Sequence, residues 1–172
     1  GLYRIDPDRR VTPILSGVRV GNGLDWSPDG KTFFFTDSLT QSVDAFDFDA
    51  TTGMISGRRS IVRFEQCAPD GLTVDRHGCL WIAAAAAGEV RRYTPEGELL
   101  SRVKIATPGV TSCSFGGRNQ QFLFATSLNI RMPEIPELGI PSEQLENNLP
   151  DSGAVFVCRP HVKGLPARSF AG

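Results

Sequence analysis

Short apolar runs separated by polar turns occupy the whole chain, and none keeps the spacing of a helix face. The pattern also repeats. Asn22-Gly-Leu-Asp-Trp-Ser-Pro-Asp-Gly-Lys-Thr-Phe-Phe-Phe-Thr-Asp-Ser38 aligns with Asp70-Gly-Leu-Thr-Val-Asp-Arg-His-Gly-Cys-Leu-Trp-Ile-Ala-Ala-Ala-Ala86 at an offset of 48 residues. Gly23/Gly71, Leu24/Leu72, Trp26/Val74, Gly30/Gly78 and Phe33/Trp81 coincide. A fainter copy, Thr111-Ser-Cys-Ser-Phe-Gly-Gly-Arg-Asn-Gln-Gln-Phe-Leu-Phe-Ala-Thr-Ser127, starts 41 residues later, with Phe115 matching Trp26 and Phe122 matching Phe33. Each copy is an apolar run, a Gly-bearing turn and a second apolar run, which predicts a β-hairpin. Residues 42–48 and 55–64 add two strands after the first hairpin, and residues 89–93 and 99–105 add two after the second. Residues 2–5 and 11–15 read as the last two strands of an earlier unit. No helix of useful length is predicted.

Four short antiparallel strands per roughly 40–50 residues predict the blades of a β-propeller, so the chain is expected to be all-β. The blades fall at residues 18–66, 67–106 and 107–172, with residues 1–17 ending a preceding one, about three and a half in all. Such an arc does not close, because propellers hold about four to eight blades. The expectation is the C-terminal half of a larger propeller, completed by a second chain or by residues outside this one, with a pairing of two arcs as the weaker alternative. A first residue that is Gly rather than Met fits a processed or truncated product. One stretch breaks the repeat. Residues 128–152, between the second and third strands of the last blade, are rich in Pro, Glu and Asn. A loop of that length is either functional or a flexible insertion. Leaving a second strand, it is expected to overhang the face that carries Asn22 and Asp70, as a rim or lid.

Charge and composition narrow the function. With 18 Lys+Arg against 19 Asp+Glu, the net charge of −1 argues against nucleic-acid binding through bulk positive charge and against a polybasic membrane-surface protein. The longest apolar stretch, residues 79–87, is far short of the roughly 20 residues of a membrane span, and no signal sequence opens the chain. Cys67, Cys79, Cys113 and Cys158 form no C-x-x-C pair, and His77 and His161 approach neither each other nor a cysteine pair in sequence, so a zinc finger is not expected. Cys79 and Cys113 read as free buried thiols. Nothing here calls for an oxidising compartment, and a cytoplasmic setting is the default.

The first strand of each blade lines the central channel, so matched positions converge near the axis. Asn22, Asp70 and Thr111 share one such position. A carboxylate and an amide carbonyl are oxygen ligands suited to a hard divalent cation, although two protein ligands are too few and at least one more must come from outside the chain. The competing reading is local, since Asn22-Gly23 and Pro69-Asp70-Gly71 are also turn signatures. Each blade already has its hairpin turn eight residues later, however, which leaves the site and turn readings about level. Other candidates fall away. Residues 47–53 resemble an EF-hand start, but the Gly is one place late and Arg58 stands where a bidentate Glu is needed. Ser112 and Ser114 lack a nucleophile elbow, and no phosphate-binding fingerprint occurs. Trp26 and Trp81 read as packing residues and His77 as a solvated turn tip.

Asn22-Gly-Leu-Asp-Trp-Ser-Pro-Asp-Gly30, Phe35-Thr-Asp-Ser38, Ser42-Val-Asp-Ala-Phe-Asp-Phe-Asp49, Pro69-Asp-Gly71, Gly78-Cys-Leu-Trp-Ile-Ala83, Thr111-Ser-Cys-Ser-Phe-Gly-Gly117 and the closing Ser169-Phe-Ala-Gly172 stand in an order that resembles the regucalcin / senescence-marker protein / gluconolactonase family over essentially the whole chain. The resemblance implies a six-bladed propeller of which this is the second half. It also implies one divalent cation on the axis, held by a Glu, an Asn and an Asp. By motif the Asn is Asn22 and the Asp is Asp70, while the Glu and the main sugar-contacting residues belong to blades outside this chain. The implied cation is Ca²⁺ first, with Zn²⁺, Mg²⁺ and Mn²⁺ as alternatives. The implied chemistry is hydrolysis of sugar lactones, with the cation polarising the ring carbonyl and Asp70 as metal ligand and candidate general base. The alternative is a non-catalytic calcium-binding or interaction propeller.

Overall fold

The computed structural model describes residues 1–129, 131–146 and 149–166, so the closing motif at 169–172 lies outside the described residues. It contains four antiparallel sheets, in each of which every strand pairs with the next in sequence. The first sheet is β1 (Leu2–Ile5) and β2 (Val11–Leu15). The second is β3 (Gly21–Trp26), β4 (Thr32–Asp37), β5 (Ser42–Asp49) and β6 (Met54–Arg63). The third is β7 (Ala68–Val74), β8 (Leu80–Ala85), β9 (Glu89–Tyr93) and β10 (Leu99–Lys104), and the fourth is β11 (Val110–Gly116), β12 (Phe122–Ser127) and β13 (Val155–Cys158). Helical structure among the described residues is limited to single turns such as Ser38–Thr40, Pro136–Leu138 and Ser142–Leu145. None of these is long and apolar enough to cross a membrane.

The apolar runs do not alternate with polar residues because the sheets stack face to face and bury both sides of their central strands. Phe33 and Phe35 of β4 face the first sheet, packing with Leu2, Leu15 and Val18, while Phe34 faces the third sheet and its Leu72, Leu80 and Ile82. In β8, Leu80, Ile82 and Ala84 face the second sheet; Trp81 and Ala83 face the fourth, against Val110, Cys113 and Leu123. Each fully buried side chain of this size contributes roughly 1.5–3 kcal/mol. Cysteines 67, 79, 113 and 158 are free, and burial pushes the Cys113 thiol up to about 12.

The first strands of the three larger sheets stand side by side, β3 against β7 and β7 against β11. Glycine makes this approach feasible. A Cβ on Gly23 would lie 2.3 Å from the Leu72 backbone nitrogen, and one on Gly71 would lie 2.1 Å from Ser112 Oγ. Carboxylates bind the sheets across these gaps and within the turns. Asp25 accepts from the Val74 backbone N–H at 2.8 Å. Asp75 accepts from the backbone N–H groups of His77 and Cys79, from Trp81 Nε1 and from Arg92. His77 itself is exposed at the turn tip, and Asp49, in the EF-hand-like stretch, accepts from Thr51 N and Thr52 Oγ1 as a turn cap.

The long segment between β12 and β13 has its own small core. Met132 and Leu145 bury against Ala86, and the Met132 backbone N–H donates to the Leu145 carbonyl at 3.0 Å. Gln41 clamps it from below, donating through Nε2 to Leu138 O and to Cys67 O, both at 3.1 Å. Gln41 and Ala86 lie in the β4–β5 and β8–β9 connections, at the end of the sheets that carries Asn22 and Asp70. In its described residues the segment is therefore a packed rim, anchored on the outer connections of that end.

Candidate metal-binding site

Neither Asn22-Gly23 nor Asp70-Gly71 forms a turn between strands; both lie within strands, β3 and β7. What sets them apart is a break in register at the matched place in all three first strands. The pairing slips between Gly21 and Leu24, between Pro69 and Leu72, and between Val110 and Ser112. Asn22, Asp70 and Thr111 therefore each sit on an irregularity of the bulge type, which re-aims a side chain out of the regular pleat. Pro69 is tolerated in β7 because that strand pairs only with β8 and leaves its other edge free of ladder bonds. The first two irregularities touch. A Cβ on Gly23 would meet the Asp70 carbonyl oxygen at 2.8 Å, so Asn22 and Asp70 project from adjoining backbone.

The three positions differ in what their side chains do. Thr111 Oγ1 is engaged with Thr126 Oγ1 at 2.9 Å, inside its own sheet. Asn22 is exposed, and its Nδ2 donates to Ser38 Oγ at 2.6 Å, while its amide oxygen has no donor among the described residues. Asp70 is half-buried. Burial pushes its carboxyl up from the ordinary 3.8 to about 6, offset only by the Gly71 backbone N–H. Other buried or half-buried aspartates have several donors: Asp37 accepts from Arg19 N and Val20 N, Asp44 pairs with Arg58, and Asp75 has four donors. Asp70 has no cationic or side-chain donor among the described residues.

A half-buried carboxylate left without a cation, beside an amide whose oxygen is free, is a hard-oxygen donor pair that fits Ca²⁺, Mg²⁺, Mn²⁺ or Zn²⁺. It is not a full set. Among the described residues no three His, Cys, Asp or Glu side chains gather where they could hold a metal. Ser38, buried and bonded to Asn22, is the residue that reading the sequence missed. Its matched positions are Ala86 and Ser127, so the repeat carries no signal for it.

The family model described as "SMP-30/Gluconolactonase/LRE-like region" matches residues 1–129. Regucalcin from Gallus gallus is 41% identical over 99% of this chain, and regucalcin from Homo sapiens is 39% identical over the same share. The match takes in 56% of either relative, so the chain spans little more than half their length. Among solved structures, a luciferin-regenerating enzyme superposes with a TM-score of 0.80 at 32% identity, over 95% of this chain and 52% of that one. A gluconolactonase from Xanthomonas campestris superposes with a TM-score of 0.61 at 28% identity, over 73% and 40%.

Proposed function

Because the chain belongs to the SMP-30/gluconolactonase/LRE-like family, we propose that it is the C-terminal half of a six-bladed propeller that hydrolyses sugar lactones with the help of one axial divalent cation. Among the described residues the sheets hold two, four, four and three strands, which supports the partial count, since the first has two fewer strands than a four-stranded blade. The share of the relatives that the chain covers supports it too. The remaining blades, and with them a further carboxylate ligand, come from outside residues 1–172.

The observation that carries the proposal is Asp70: a half-buried carboxylate that among the described residues has no cationic partner, adjoining the Asn22 amide, whose oxygen has no donor among them. Asn22 and Asp70 would hold the cation, Ca²⁺ being the first choice for neutral and anionic oxygens together. A bound cation supplies Lewis acidity at the lactone carbonyl. Through the cation, Asn22 and Asp70 would set where that carbonyl is held. A carboxylate that holds a cation is a weakened base, so ligation is the first role of Asp70, and acceptance of a proton from an attacking water is a secondary one. The rim formed by the described part of residues 131–146 borders the entry on the same end and limits the size of what enters.

The test is acid release from glucono-1,5-lactone at constant pH by the protein assembled with its remaining blades. Turnover is expected to need a divalent cation and to fall at least a hundredfold in Asp70→Ala. Undiminished turnover in that variant overturns the assignment. A second reading is favoured by the name regucalcin on the 39–41% identical relatives: a cation-binding propeller without turnover. In that case Asp70→Ala loses cation affinity, and neither protein hydrolyses the lactone.

A further inference from the structure

An amide has two nearly isosteric ends with opposite chemistry, of which only the oxygen can hold a cation. Asn22 is exposed, and nothing in β3 decides which end faces outward. Ser38 decides it. This residue is 7% exposed, and its backbone N–H donates to Val20 O at 2.9 Å. Its Oγ donates to the carbonyl of Pro69 at 2.6 Å and accepts from Asn22 Nδ2, also at 2.6 Å. A hydroxyl has one proton. The Pro69 carbonyl can only accept, so the proton goes there, and Ser38 offers Asn22 nothing but lone pairs. Turning the amide over would set two oxygens face to face at hydrogen-bond distance with no proton between them.

We propose that Ser38 is a positioning residue that locks the Asn22 amide with Nδ2 inward and Oδ1 outward, and ties it through Pro69 to the strand segment carrying Asp70. The inference rests on the reading of Asn22 and Asp70 as cation ligands. Among the described residues, only the second sheet has this relay. Ala86 has no hydroxyl, and Ser127 Oγ is used on the connection leading into β13, donating to Ala154 O and accepting from Gly153 N, both at 3.0 Å. The relay crosses from β4's end to β7, so one hydroxyl sets both the direction of one ligand and the spacing to the other. Residues that orient a metal ligand in this way are worth about 10–100-fold in affinity.

The experiment uses ¹⁵N-labelled protein, with Mn²⁺ as the probe and two readouts. The first is the Asn22 side-chain amide signal without metal. In the wild type its solvent exchange is slowed; in Ser38→Ala it shifts and exchanges faster. The second is Mn²⁺ affinity from paramagnetic broadening. Ser38→Ala is expected to weaken it at least tenfold, and Ser38→Thr, which keeps the hydroxyl, to restore it to within about threefold of wild type. An unchanged amide signal in Ser38→Ala overturns the lock. So does wild-type Mn²⁺ affinity in Ser38→Ala while Asn22→Ala loses it. If Asn22→Ala and Asp70→Ala both bind Mn²⁺ normally, the cation reading fails and takes the relay's role with it. Should Ser38→Ala not fold, Ser38→Cys keeps the volume, loses most of the hydrogen bond and is held to the same outcomes.

Discussion

Asp70 is kept at a cost. A carboxyl raised from 3.8 to about 6 binds its proton more tightly in the folded chain than in the unfolded one. Stability is therefore fullest below the ordinary value and declines as pH rises from about 4 through 6. Replacing the charge with an amide of the same shape removes that decline. In cation-free protein, Asp70→Asn is expected to be more stable than wild type by about 1–2 kcal/mol at pH 7.5, after allowance for solvent screening, and no more stable at pH 4. Urea unfolding with a chelator present, at both pH values, reads this directly; equal midpoints at pH 7.5 would refute it. Such a trade is the mark of a residue held for binding rather than folding. It was not legible in the chain itself. Asp25, Asp37, Asp70 and Asp75 all occur beside strand-like runs, and only the folded structure shows that Asp70 lacks the donors the others have.

At the scale of strands, the repeat pattern was enough to locate the elements, because apolar runs such as residues 33–35 and 80–84 are buried on both faces and stand out in any window. The repeat also aligned Asn22, Asp70 and Thr111. What it left open was why a glycine follows the first two. Turn chemistry and close approach make the same demand on sequence, and the structure answers with close approach: β3, β7 and β11 come too near one another for a Cβ at Gly23 or Gly71. Gly23→Ala is thus expected to destabilise the protein by about 1–3 kcal/mol or more, through overpacking against the Leu72 backbone, which has no rotamer with which to yield. Chemical denaturation measures it, and a loss below about 0.5 kcal/mol would mean that the strands can part easily. Ser38 stayed hidden for the opposite reason. Its role depends on a contact with one neighbouring sheet, which the other units do not repeat.

Over the whole molecule, burial is unequal from one end to the other. The second and third sheets have a packed neighbour on each face; among the described residues, the first and the fourth have one on a single face each. Tyr3, Ile5 and Val11 in the first sheet and Val155 and Val157 in the last are 58–65% exposed. Local opening should follow that gradient. Backbone amides of β8 are expected to show the slowest hydrogen exchange, those of β1 and β13 the fastest, with a spread of several orders of magnitude. Equal protection throughout would mean that these outer faces are covered in the protein as prepared.

Pairing each strand only with its sequence neighbour has a mechanical consequence. Among the described residues no strand is threaded between two others from a distant part of the chain, but Gly164 bridges to Asp75 and Leu138 is tied to Gln41, so tension loads the second, third and fourth sheets together until those links break. The first sheet, which neither link reaches, peels first. The rupture that separates Gly23 from Leu72 also cuts the link from Ser38 to Pro69. Under load, the pair Asn22 and Asp70 would come apart in a single step, along one seam.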